Sequence, residues 1–79
     1  MTRNEFIELI DTSGDIMFEC SGKSYTILCW NEDGPLVSEQ ETESNERVFK
    51  DGEALVSQYI IDGKPLQERI GELSVTFAN

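Results

Sequence analysis

Apolar residues recur at two spacings along this chain, and the change from one to the other marks its elements. Phe6, Ile7, Leu9 and Ile10 share one side of a helical wheel, with Glu5, Glu8 and Asp11 facing away. Ahead of that stripe, Thr2-Arg3-Asn4-Glu5 matches a capping box: the Thr hydroxyl accepts from the third helical amide and Glu reaches back. Thr12-Ser13-Gly14 ends a predicted helix of about two turns. From Asp15 the period drops to two. Ile16, Phe18 and Cys20 alternate with Met17 and Glu19, and Tyr25, Ile27 and Cys29 alternate with Thr26, Leu28 and Trp30 up to Asn31. The second run is β-branched and aromatic. Ser21-Gly22-Lys23-Ser24 between the two reads as a hairpin connection.

Asn31 to Pro35 forms a second turn around the pair Asp33-Gly34, and Leu36 to Glu41 follows as a third strand. Glu39 and Glu41 on its outer half are the kind of charge that blunts an exposed edge. Residues 41–47 read as a flexible acidic loop, after which Val48 and Phe49 return to apolar character. Asp51 can cap a helix in which Leu55, Val56, Tyr59 and Ile60 share a face. Ile61 to Lys64 is a turn, and Pro65 suits the first position of another short helix with Leu66 and Ile70 inward and Gly71 stopping it. Leu73, Val75 and Phe77 then alternate in a final strand. The expected fold is α+β: an N-terminal helix, a three-stranded antiparallel β-meander, two short helices and a C-terminal strand joining the sheet. Seventy-nine residues make one domain, 1–79, with a thin core.

Hairpin register assigns the faces. A first turn centred on Gly22-Lys23 places Cys20 opposite Tyr25 and Cys29 opposite Ile16. Ile16, Phe18, Tyr25, Ile27 and Cys29 then share one face, while Met17, Leu28 and Trp30 share the other. A second turn centred on Asp33-Gly34 sets Val37 opposite Trp30, on that second face. Both faces of a small sheet are therefore partly apolar. Either helices cover both or a terminal segment folds across the second, or Met17, Leu28, Trp30 and Val37 form a contact patch for a partner protein or a second copy of the chain. The same register holds the two cysteines roughly 13 Å apart along the ladder, too far for a disulfide. Two thiols without a histidine do not make a zinc site. Free cysteines and no cofactor are expected.

Charge narrows the partners. Sixteen Asp and Glu against six Lys and Arg give a formal net charge of −10. Such a surface repels nucleic acid and anionic membranes, and it suits a basic partner protein or simply solubility. No stretch approaches the ~18–20 apolar residues of a membrane span, and residues 1–4 lack an export signal, so a cytoplasmic location is expected. The series Glu32, Asp33, Glu39, Glu41, Glu43 and Glu46 does not have the spacing of a calcium loop. It reads as a solvated face, or as mimicry of a phosphate backbone.

An N-terminal helix, an acidic three-strand meander and following helices together resemble small phage-encoded inhibitors of CRISPR nucleases. The closing strand Leu73 to Phe77 departs from that layout. The resemblance rests on element order and acidity, and it implies an acidic inhibitor occupying a site lined with Arg and Lys. Enzymatic chemistry has little to stand on. There is no histidine to serve as a base, no Gly-rich phosphate loop, and no base at a recognisable spacing from Ser or Cys. The first expectation is a non-enzymatic interaction or accessory module. The alternative is the nucleic-acid-mimic inhibitor.

Overall fold

The computed structural model describes residues 1–40 and 45–79. Helix α1 (Arg3–Thr12) precedes strands β1 (Asp15–Cys20), β2 (Lys23–Leu28), β3 (Leu36–Glu39) and β4 (Arg47–Val48). Helix α2 (Gly52–Gln58), the short strands β5 (Ile60–Ile61) and β6 (Lys64–Pro65), the 3-10 helix η1 (Leu66–Glu72) and β7 (Ser74–Ala78) complete the chain. Five strands form one antiparallel sheet in the order β4-β3-β2-β1-β7, while β5 and β6 make a separate hairpin. The fold is α+β. Strand β3 ends at Glu39, short of the expected Glu41, and Arg47 belongs to an additional short strand, β4, rather than to a loop. The acidic loop expected at 41–47 otherwise lies largely outside the described residues, as do Glu41 and Glu43.

Caps start both α-helices where the side chains allow. Thr2 Oγ1 accepts from Glu5 N at 3.1 Å, and Glu5 Oε1 accepts from Thr2 N at 2.7 Å, which satisfies two amides that have no partner within the helix. Hydrogen bonding from Thr2, its backbone amide first and its side chain second, holds the Glu5 carboxyl below its ordinary value of 4.5. Asp51 Oδ1 accepts from Ala54 N at 2.8 Å and opens α2. That helix ends two residues sooner than its apolar spacing suggests. Tyr59 is already extended, so Tyr59 remains buried while Ile60 turns out to solvent instead of sharing the helical face. Pro65 does not open an α-helix either: it ends β6 and precedes the 3-10 turn.

Two hairpins close with two-residue turns. Ser21 and Gly22 (φ 53° and 78°) join β1 to β2, and Asp62 and Gly63 (φ 49° and 85°) join β5 to β6. Consecutive positive φ values match the twist of the flanking strands. The first turn therefore centres on Ser21-Gly22, not Gly22-Lys23, and Cys20 pairs with Lys23. This moves the register by two residues. An even shift leaves every side chain on its expected face. Both cysteines are free, Cys20 buried and Cys29 half-buried.

The inner face carries the core. An aromatic path crosses it from Phe6 of α1 to Phe18 (5.8 Å, edge-on), Tyr25 (5.1 Å, stacked), Tyr59 (6.2 Å, edge-on) and Phe49 (6.3 Å, edge-on). Ile10, Ile16, Ile27, Leu55, Val56, Ile61, Leu66 and Ile70 pack around it. Helix α1 packs on α2 and α2 on η1. The residues those elements bury belong to this one cluster, so they roof the inner face.

Candidate interaction surface

Strand alternation and pairing together map the opposite face. Two rows run across it: Val48–Leu36–Leu28–Asp15, and Ser38–Thr26–Met17–Phe77. Glu19 pairs with Ser24 and Ser74 in a third row. Leu28 and Met17 sit diagonally across the β1–β2 ladder, which links the two apolar groups into one band. Among the described residues no helix shields it. Phe77 is 48%, Leu28 43%, Val48 43% and Met17 38% exposed. Gln40 Nε2 donates to Thr26 Oγ1 at 2.7 Å along its middle.

Val37 is corrected. It pairs with Ile27, lies on the inner face and is fully buried. The connection from β2 to β3 is not a two-residue hairpin on Asp33-Gly34 but runs from Cys29 to Pro35. Its turn closes with Gly34 N donating to Asn31 O at 3.0 Å. Gly34 takes φ 116°, and a side chain there would collide with the carbonyl oxygen of Phe49, so the strand leading to α2 passes against bare backbone. The longer connection shifts β3 by three residues relative to the hairpin register. An odd shift turns every β3 side chain over. Leu36 thereby takes the outward place assigned to Val37.

Trp30 stands beyond the end of β2, in a turn, and is 83% exposed. Its indole lies against Gly14, where a β-carbon would sit 3.3 Å from the ring. Glu32 and Asp33 follow it in the same connection, both exposed. Glu39 is at the opposite end of β3, and exposed Glu46 directly precedes β4. Glu32 and Asp33 are thus separated from Glu39 by the length of a strand. The acidic series borders the sheet at two places rather than forming one described cluster.

Four of the six cations have partners away from this face. Arg3 meets Glu53 at 3.7 Å and donates to Gln67, Lys23 meets Asp62 at 3.7 Å, and Arg69 meets Glu72 at 3.0 Å. Arg69 also donates to the carbonyls of Ile61 and Asp62, clamping the β5–β6 turn. Arg47 lies over the Phe49 ring, 5.1 Å from its centre.

A shallow depression of about 280 Å³ is lined by Arg3, Lys50, Asp51, Glu53, Ser57 and Gln58, and the Ser57 hydroxyl there donates to the backbone carbonyls of Glu53 and Ala54. Burial pushes the Cys29 thiol up to about 11, with Asp15 and Asp11 adding to it, and burial likewise raises Cys20. Neither thiol is activated as a nucleophile. No trio of His, Cys, Asp or Glu is placed to hold a metal ion, and no helix is long and apolar enough to cross a membrane, both among the described residues. Comparison with known protein families, curated proteins and solved structures finds no match to the chain.

The expected contact residues thus divide. Met17 and Leu28 share the outer face, Trp30 projects beyond its β2 end, and Val37 is core. Phe77, Val48 and Leu36 join the face without having been singled out. Alternation of Leu73, Val75 and Phe77 alone would have put Phe77 inward with Val75; the register shift in the β1–β7 pairing at Met17/Phe18 turns it outward opposite Met17. Leu36 and Val48 depended on the β2–β3 connection.

Proposed function

We propose that the protein is a non-enzymatic interaction module that docks on another protein through the outer face of its sheet. One observation supports this above the others: an apolar band of Phe77, Met17, Leu28, Leu36 and Val48 lies on a face that no described element covers. A small domain has few apolar side chains with which to build a core, and leaving four of these exposed has a stability cost unless a partner covers them. Comparative affinity capture from the native host tests the reading. Wild type should retain a protein at ~0.5 M salt, where surface charge pairs are screened, and the Met17→Ser/Leu28→Ser variant should lose it. Identical capture by both proteins refutes docking through this face.

A further inference from the structure

We infer that the surface this face accepts is an apolar patch ringed by Lys and Arg on a different protein, not a second copy of this chain. The inference rests on the docking reading above and adds the chemistry of the partner.

Size comes first. Five strands about 4.8 Å apart and some four residues long present roughly 350 Å² of sheet surface. A stable protein–protein contact buries about 800 Å² on each partner. Whatever docks here must therefore reach past the apolar band onto its surroundings.

Those surroundings are mainly acidic, although exposed Lys50 follows β4 with its backbone beside Gly34. Asp15 and Glu19 flank Met17 on β1 itself. Glu32 and Asp33 project from the connection beyond β2, and Glu46 precedes β4. Among the described residues, no Lys or Arg occupies an outward position of the sheet. Lys23 falls in register with Cys20 on the inner face and Arg47 with Val37, while Arg3 and Arg69 are held against the helical side. A second copy would bring matching acidic borders together, on molecules that each carry a formal charge of −10. Like charges set opposite one another penalise such a complex, and opposite charges steer and orient one.

Trp30 adds an independent argument. Its indole is mostly free, and Glu32 and Asp33 lie two and three residues further along the same turn. An exposed aromatic ring close to carboxylates is a favourable seat for a guanidinium, which can stack on the ring and pair with an acid at once.

The test uses two fluorescent amphipathic peptides with the same Leu and Phe residues, one bordered by Lys and Arg, the other by Glu. Each is titrated into the full chain by anisotropy at about 0.1 M salt, where exposed charges still act over about 10 Å. The basic peptide should bind about tenfold more tightly than the acidic one. Met17→Ser/Leu28→Ser should weaken it by about tenfold, and Glu32→Gln/Asp33→Asn should weaken it while flattening its salt dependence. Light scattering of the protein alone should give a monomer. Equal affinity for the two peptides, still sensitive to Met17→Ser/Leu28→Ser, overturns the partner chemistry and leaves the docking face standing. Binding of the basic peptide that ignores the face variant but disappears with salt removes the docking face itself, as charge mimicry would require. A dimer dissolved by the face variant overturns the inference in favour of self-association. A monomer that binds neither peptide overturns it as well.

Discussion

Tyr25 and Tyr59 are the chain's two tyrosines, and both are buried at the centre of the aromatic path. Desolvation pushes Tyr25 up to about 12, helped by the charge of Glu39, and pushes Tyr59 up further. The Tyr59 hydroxyl donates to Asn45 O at 2.8 Å, so its neutral form also pins the chain just ahead of β4. The fold favours the protonated phenol. Its contribution is complete below the ordinary value of 10 and is lost as pH rises from there through about 12. Phenolate absorbance of the native protein should therefore stay flat past pH 10, then rise together with the loss of circular dichroism. A half-complete titration near pH 10 in folded protein would contradict the burial of one ring. Trp30 behaves in the opposite way. Its emission should already be water-like and iodide-quenched in the native state, so it follows binding at the outer face better than it follows unfolding.

Element by element, the local signals were legible and the long-range ones were not. Thr2-Arg3-Asn4-Glu5 and Asp51 announce helix starts through side chains that bond within three residues, and both caps form. Alternation along β1 and β2 assigns every inward residue because an even register error is harmless. The β2–β3 connection is different. Asp33-Gly34 looks like a hairpin pair, but the positive φ of Gly34 serves the close passage of Phe49, fifteen positions along the chain, which no local pattern reveals. β4 has only two residues and acquires strand character from its partner Leu36–Val37 rather than from its own sequence. The partly apolar outer face was legible but not whether it is covered; Met17 and Leu28 lie on it as expected, and Val37 does not. Val37 and Leu28 now form a controlled pair. Val37→Ser leaves a cavity and buries a hydroxyl, so it should cost about 2–4 kcal/mol. That is a large share of a stability on the order of 5 kcal/mol. Leu28→Ser should stay within about 1 kcal/mol of wild type. Urea unfolding followed by circular dichroism separates the two, and equal losses would contradict the β3 register.

For the molecule as a whole, the paired cations matter little to stability. The Arg3–Glu53 and Lys23–Asp62 contacts are solvent-exposed, and such pairs contribute about 0–1 kcal/mol each. Glu5 is one acid whose folded state depends on its charge. Its depressed pKa gives α1 a contribution that is complete above 4.5 and lost as pH falls through the lower folded value. The excess of carboxylates acts at longer range, through the distance it keeps between molecules.

That excess makes the uncovered band a matter of colloidal behaviour as well as recognition. Each copy carries its own apolar seam, and on the partner reading above mutual repulsion at neutral pH should keep the seams apart. The chain's isoelectric point is near 4.1, so mild acid removes the repulsion while the apolar band stays in place. Turbidity should appear as pH approaches that point. Adding Met17→Ser, Leu28→Ser and Phe77→Ser together should suppress it, although the net charge is unchanged. If the triple variant clouds at the same pH and to the same extent, the seam is not what brings the molecules together.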